Sequence, residues 1–158
     1  MKGLKGVTMT SKGSNTKSNN KEILERLNEL LELELSGVIR YLHYAFMVRG
    51  PNRIPIVSWF RDQANEGMTH AIALGEKMTA LGGHPSLNVK PVPESKQHSV
   101  LDMLRESLEF ERKGLAQYTA LLHICGDNIA LEELMREQIR AETEHIEEVE
   151  KMLAADRS

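Results

Sequence analysis

The stretch ELSGVIRY, residues 34–41, decides the fold because its pattern recurs as ERKGLAQY at residues 111–118. Both stretches read Glu-x-x-Gly-(Val or Leu)-x-x-Tyr, and both lie in segments whose apolar residues recur at alternating steps of three and four. This spacing is typical of a helix with one face in a core. The glutamate that opens each stretch falls on that apolar face, where a carboxylate without compensation would be costly.

The composition predicts one acidic domain with a basic N-terminal tail. The chain has 158 residues and a formal net charge of −3, and a single domain of that length buries about 70% of its unfolded surface. Residues 1–20 contain lysines but no acid and are rich in Gly, Ser, Thr and Asn. This tail is predicted to be flexible, and the folded domain is predicted to span residues 21–158.

No apolar stretch has the length of a signal-peptide core or a membrane span, so neither export nor membrane insertion is expected. Cys125 is the single cysteine, so an intrachain disulfide is excluded. Cys125 is expected to be a small packed residue. A cytoplasmic protein fits these features.

Four apolar stripes predict four helices. The first begins near Lys21 and ends near Arg49, before the Gly-Pro-Asn stop at 50–52. The second covers about 54–81, with Trp59, Ala73 and Leu81 among its inner residues.

The third helix is predicted over about 99–125, and the fourth ends near Ala154, with Asp127 or Asn128 as its cap. The proline-containing segment between the second and third helices is predicted to be an extended crossover. Two short loops and one long crossover indicate an all-α four-helix bundle made of two antiparallel helix hairpins.

Polar residues interrupt all four stripes near their midpoints. Counted from the hairpin turns they lie at similar depths, so a rise of about 1.5 Å per residue brings them to one level. Four buried carboxylates would be intolerable alone, but two divalent cations would balance them. Carboxylates combined with imidazoles suit iron or manganese. The predicted ligands are Glu34, Glu66, His70, Glu111, Glu142 and His145.

At these residues the chain resembles the ferritin-like di-iron carboxylate proteins, and bacterioferritins in particular. Their arrangement takes a Glu from each of two helices and a Glu-x-x-His from each of the other two. Glu34 and Glu111 match the single glutamates, residues 142–145 match one Glu-x-x-His, and His70 matches the histidine of the other. Gly67 stands where the remaining glutamate is expected.

The nearest acid to that position is Glu66, one residue early. Positions i and i+4 still share a helix face, so Glu66 reaches the metals directly, or a π-bulge near Gly67 restores the register. The third alternative is a site with one carboxylate fewer.

The resemblance implies a ferroxidase that oxidises Fe(II) with dioxygen or hydrogen peroxide, in iron storage or detoxification. It implies Glu34 and His70 on one metal and Glu111 and His145 on the other, with Glu66 and Glu142 as candidate bridges. Tyr41 and Tyr118 are candidate supporting or redox-active residues, or ordinary core tyrosines. Met68 falls where bacterioferritins place a haem ligand between subunits, so haem b is a further candidate cofactor; packing at an interface is the alternative.

A homo-oligomer is expected from the resemblance, although the residues after His145 are too few for the fifth helix of many cage-forming relatives. Three other functions remain: a peroxide-reducing or manganese enzyme on the same site, a DNA-protecting mini-ferritin that binds DNA through the tail lysines, and a metal-free structural bundle. The remaining histidines, His43, His84, His98 and His123, are expected to be solvated or locally bonded.

Overall fold

The computed structural model describes the backbone of residues 12–154 and the side chains of residues 19–154. Its helices are α1 (Lys12–Met47), α2 (Arg53–Ala80), α3 (Val100–Leu122) and α4 (Ile129–Ala154). α1 packs along α2 and α3 along α4, and α1 also contacts α3. The predicted all-α bundle of two helix hairpins is confirmed. None of the helices in this described range is long and apolar enough to cross a membrane.

The helix ends are set by local signals that the sequence contains. Gly50 and Gly126 adopt φ values of 100° and 59° in the two hairpin turns, a region that residues with a Cβ rarely enter. Ser99 caps α3 by accepting a hydrogen bond from the Asp102 backbone nitrogen. The Asn128 side chain accepts one from the Leu131 backbone nitrogen at 3.0 Å, so Asn128, rather than Asp127, caps the start of α4.

The start of α1 differs from the prediction, because the helix begins at Lys12 and not near Lys21. Residues 12–20, which were predicted to be part of a flexible tail, are helical. The polar residues before Lys21 are weak helix formers, but extending a formed helix costs far less than starting one. The rest of the predicted tail, residues 1–11, lies outside the described residues.

The inner face of α2 was predicted only in part. Trp59 and Leu81 are partly buried and pack against the apolar core, Ala73 is partly buried, and the buried apolar residues are Val57, Phe60, Ala64, Ala71, Leu74 and Met78. α2 also exposes large apolar side chains, among them Ile54 and Ile72. Because apolar residues occur all round this helix, their spacing identifies only part of its inner face.

The core forms two apolar clusters with a polar layer between them. One cluster joins the first half of α1 to the second half of α2 and includes Leu27, Leu74 and Met135. The other lies at the opposite end of the bundle and includes Phe60, Leu104 and Val149. Burying each large apolar side chain stabilises the fold by about 1.5–3 kcal/mol, and the polar layer lies between the two clusters.

The glycine in the repeated motif allows close packing around this layer. A Cβ at Gly37 would lie 2.9 Å from the Phe110 ring, so a larger residue there would force that partly buried ring to shift. A Cβ at Gly114 would instead lie in ordinary contact distance, 3.9 Å from Glu142 Oε2. The first glycine of the repeat is therefore required by packing more strictly than the second.

The crossover between α2 and α3 is fastened along α1. The Ser86 hydroxyl lies 2.7 Å from Glu32 Oε1, and the Ser86 backbone nitrogen donates to Asn28 Oδ1 at 2.7 Å. Lys90 donates its backbone N–H to the Glu32 carbonyl at 3.2 Å and places its ammonium 3.3 Å from the Glu32 carboxylate. The predicted extended crossover is thus confirmed, and it is held by specific polar contacts.

Candidate metal centre

Three side chains from three helices form one group of donor atoms in the polar layer. Glu34 from α1, His70 from α2 and Glu142 from α4 bring ligand atoms within 4.8 Å of one another. His70 Nδ1 lies 3.5 Å from Glu34 Oε1 and 3.5 Å from Glu142 Oε1. All three residues are buried, so their charges are not screened by water as surface groups are.

A second group lies beside the first and shares one residue with it. Glu111 from α3 joins Glu142 and His145 from α4, again with donor atoms within 4.8 Å. His145 Nδ1 lies 3.5 Å from Glu111 Oε1. Glu142 belongs to both groups, so its two oxygens lie between two potential cation positions.

Each glutamate of the repeated motif is hydrogen-bonded by the tyrosine of the other copy. Tyr41 on α1 donates to Glu111 on α3, and Tyr118 on α3 donates to Glu34 on α1. Burial raises the pKa of both phenols well above their ordinary value, and the facing carboxylates raise it further. Both hydroxyls therefore keep their protons and act as donors that orient the carboxylates.

The centre concentrates negative charge where water cannot compensate for it. Burial raises the pKa of Glu111 well above its ordinary value, and Glu142 raises it further, against the opposing effects of His145 and Tyr41. Burial alone would lower the pKa of His70, but Glu142 and Glu34 raise it to about 10. At neutral pH the proton on His70 therefore supplies positive charge between two carboxylates.

His145 has the opposite character. Burial lowers the pKa of His145, and the charge of His70 lowers it further, although Glu111 works against both. Its imidazole is therefore neutral at neutral pH, which is the form that binds metal ions. The Trp59 ring lies 5.4 Å from the imidazole, centroid to centroid, and the Tyr41 ring lies 5.9 Å from it, so aromatic rings shield this side of the centre.

The donor set fits divalent cations. Among the described side chains, the buried atoms without a hydrogen-bond partner include Glu142 Oε2, His145 Nε2 and Gln138 Oε1. Buried polar atoms are normally satisfied, and the unpaired Glu142 Oε2 and His145 Nε2, which belong to one donor group, indicate a missing partner. Carboxylate oxygens with imidazole nitrogens are the ligands of iron and manganese sites. The small cavity lined by Glu142, His145 and the other candidate ligands has a volume of about 20 Å³.

Glu66 occupies a different place from the other predicted ligands. It lines the same cavity, but its side chain is 45% exposed and its Oε1 lies 3.8 Å from His70 Nε2. α2 is a regular α-helix from 53 to 80, so the predicted π-bulge near Gly67 is not present. Glu66 is therefore at the mouth of the centre and not among its buried donors.

Gly67 faces the position that Glu66 does not fill. A Cβ at Gly67 would lie 3.6 Å from Glu34 Oε2 and 3.4 Å from Val38 Cγ2. A longer side chain at this position would therefore begin beside the Glu34 carboxylate. Position 67, where a glutamate was expected, therefore faces the centre, and in this chain it is a glycine.

The family follows from the arrangement and from comparison with known proteins. A ferritin-like domain matches residues 24–158. The chain belongs to the ferritin-like family. A structure described as a ferritin-like di-iron carboxylate protein from Bacillus anthracis is 30% identical with a TM-score of 0.78, over 85% of this chain and 97% of that one.

Two bacterioferritin structures have the same fold as this ferritin-like chain. That of Rhodobacter capsulatus, described with a metal-free dinuclear site and a haem iron, is 21% identical with a TM-score of 0.78, over 87% of each chain. That of Desulfovibrio desulfuricans, described with a di-iron site, is 19% identical with a TM-score of 0.80, over 87% of this chain and 81% of that one. No curated protein sequence matches the chain significantly.

Sequence reasoning named Glu34, His70, Glu111, Glu142 and His145, and all five meet in the ferritin-like bundle. Met68 lies elsewhere, 43% exposed on α2. The crossed tyrosine contacts were missed, because each tyrosine was related to the glutamate of its own helix. Gln138 also interrupts the α4 stripe and is buried, about one helical turn before Glu142.

Proposed function

We propose that this ferritin-like protein binds two Fe(II) ions in the centre and oxidises them with dioxygen or hydrogen peroxide, as a ferroxidase in iron storage or detoxification. The observation that carries the proposal is the position of Glu142 in both donor groups. Each group adds one further glutamate and one histidine from other positions in the bundle. This is the arrangement expected of a dinuclear centre with a shared carboxylate.

The proposed ligands divide between the two ions. Glu34 and His70 bind one ion, Glu111 and His145 bind the other, and Glu142 bridges them. Three buried carboxylates leave one of the four positive charges of two Fe(II) ions uncompensated. Glu66, at the mouth of the cavity, supplies the fourth carboxylate by turning inward, or leaves that position to a solvent ligand.

Protons and orientation are controlled by this chain's own residues. A divalent cation displaces the proton that His70 holds between Glu34 and Glu142, so binding releases a proton. Tyr41 and Tyr118 hold Glu111 and Glu34 in place, which limits the reorganisation needed when an ion binds. The two Fe(II) ions supply two electrons, one each, to the oxidant.

We also infer that the protein assembles as a homo-oligomer, in line with its expected storage role. α1 exposes Ile39, Leu42 and Phe46, which recur at helical spacing, and α2 exposes Met68 and Ile72. Exposed apolar residues of this kind are suited to a contact with a second copy. Haem b at Met68 within such a contact stays a prediction.

The test is the rate of Fe(III) formation when oxygen or hydrogen peroxide is admitted to metal-free protein loaded anaerobically with two Fe(II) per chain. Glu142→Gln is expected to slow oxidation at least tenfold, because it weakens both ion positions. Glu144→Gln is the matched control, since Glu144 lies on the same helix but is exposed and pairs with Arg140. Equal rates for wild type and Glu142→Gln would refute the proposal. Rapid peroxide consumption with Mn(II), without Fe(II) oxidation, would favour the manganese alternative.

A further inference from the structure

A third group of donor atoms lies outside the bundle centre, between α1 and the crossover. His43 projects from the last turns of α1, Glu94 lies in the crossover, and His98 directly precedes Ser99, the residue that caps α3. Their donor atoms lie within 4.8 Å of one another. None of the three belongs to the di-iron centre.

The carboxylate of Glu94 faces both imidazoles. His43 Nε2 lies 2.8 Å from Glu94 Oε2, and His98 Nε2 lies 3.3 Å from Glu94 Oε1. The two imidazole rings are 5.6 Å apart, centroid to centroid. An ion bound tetrahedrally at about 2.0–2.1 Å separates its ligand atoms by about 3.3 Å. The two nitrogen–oxygen distances are close to that separation.

The ion pairs alone leave both imidazole nitrogens without a well-directed hydrogen bond. Both Nε2 atoms are buried, and neither makes a hydrogen bond of acceptable geometry, so even the 2.8 Å approach of His43 to Glu94 is misdirected for an N–H donor. Buried nitrogens without partners are uncommon. A metal ion placed between the three side chains would give both nitrogens a partner.

The crossover is folded in a way that prepares this group. The Lys96 backbone nitrogen donates to Glu94 Oε1 at 2.6 Å, and Lys96 adopts a φ of 60°, which turns the chain sharply. Glu94 and His98 therefore face the same side of the turn. The fastening of the crossover at Ser86 and Lys90 further limits how far the turn can move from His43.

We propose that His43, Glu94 and His98 bind one first-row divalent transition-metal ion, such as Zn²⁺ or Fe²⁺, and that this ion ties the crossover to α1. Two imidazoles and one carboxylate suit such ions, and the partial exposure of the group leaves room for water to complete the coordination. Mg²⁺ and Ca²⁺ prefer oxygen ligands and should not bind here. The site shares no residue with the candidate di-iron centre, so an experiment can refute one proposal and leave the other standing.

The first experiment counts bound ions. Equilibrium dialysis of the full chain with Zn²⁺, and anaerobically with Fe²⁺, is compared between wild type and a His43→Gln/His98→Gln double variant. His84→Gln/His123→Gln is the matched control, because it removes two exposed histidines outside the group. The stoichiometry should fall by one ion per chain in the first double variant and stay unchanged in the second. A difference with only one of the two metals identifies the ion that binds.

The second experiment measures trypsin cleavage between Lys96 and Gln97, which are exposed and lie between two of the ligands. Zn²⁺ should slow cleavage severalfold in wild type and in His84→Gln/His123→Gln, but not in His43→Gln/His98→Gln; Mg²⁺ should have no effect. Equal ion counts in all three proteins, or equal Zn²⁺ effects on cleavage in all three, would overturn the proposal.

Discussion

Tyr118 on α3 donates its hydroxyl hydrogen bond to Glu34 on α1, across the centre of the bundle. In the reciprocal contact, Tyr41 on α1 donates a hydrogen bond to Glu111 on α3. The two hairpins are thus joined at their midpoint by two reciprocal contacts between buried groups. This crossing holds both carboxylates in position independently of any bound ion.

Removing the Tyr118 hydroxyl is expected to destabilise the metal-free protein. Tyr118→Phe leaves a buried Glu34 oxygen without its donor, which costs about 1–3 kcal/mol in the free energy of unfolding. Tyr44→Phe is the control, because Tyr44 donates to Glu106 at 2.7 Å, and the Glu106 carboxylate is partly exposed and also lies 3.8 Å from Arg40, so water and Arg40 can replace the lost donor. Urea denaturation of the two variants measures the difference, and equal losses of stability would contradict this role of Tyr118.

Glu111 should make the stability of the metal-free protein depend on pH. Because burial and Glu142 raise the pKa of Glu111 in the folded state, its favourable contribution is complete below the ordinary glutamate pKa and is lost as pH rises through the raised value. Glu111→Gln removes this loss, so the variant should be more stable than wild type at pH 8, on the order of 1 kcal/mol or more, since one pKa unit corresponds to about 1.4 kcal/mol.

The advantage of Glu111→Gln should shrink as the pH is lowered to 4. Denaturation curves across this range provide the measurement, with Glu109→Gln, an exposed neighbour on α3, as the control. A stability difference between wild type and Glu111→Gln that did not change with pH would show that Glu111 does not titrate as described.

Replacing Gly67 by glutamate restores the Glu-x-x-His motif that α2 lacks and so tests what the missing glutamate would do. A Cβ at this position meets its neighbours at ordinary contact distances and is directed toward Glu34. Gly67→Glu should lower the melting temperature of the metal-free protein, because it adds a buried carboxylate, and should tighten Fe(II) binding about tenfold, or about 1.4 kcal/mol.

Gly75→Glu is the matched control for this substitution, because Gly75 lies on the same helix with open space around its Cβ position. Calorimetric titration with Fe(II) under anaerobic conditions compares the three proteins. Weaker binding in Gly67→Glu than in wild type would mean that Glu66 already supplies the fourth carboxylate and that the new side chain obstructs it.

Most of the fold could be predicted because its signals are local. The turns at Gly50 and Gly126, the cap at Asn128 and the stripes of α1, α3 and α4 depend on neighbouring residues alone. The inner face of α2 could be predicted only in part, since apolar residues surround that helix. The helical state of residues 12–20 depends on propagation from the adjoining helix and not on their own composition.

The sequence could predict which residues form the candidate site but not which of their side chains contact one another. Six candidate ligands were named because polar residues at one depth interrupt apolar stripes, and all but Glu66 bring their donor atoms together in the two buried groups. The pairing of Tyr118 with Glu34, and the approach of His43 to Glu94, arise from how separate helices and the crossover pack, and no spacing within one helix encodes them. The suggested DNA contact involves residues 1–20, whose side chains are described only from Asn19 onward, so it stays a prediction.

The central claim is that the bundle holds two metal ions sharing Glu142. Crystals soaked anaerobically in Fe(II), with diffraction recorded above and below the iron absorption edge, test it most directly. The account predicts two anomalous peaks about 3.5–4 Å apart, one beside Glu34 and His70 and the other beside Glu111 and His145, with Glu142 contacting both. A single peak, or none, with these side chains well ordered would contradict the dinuclear centre.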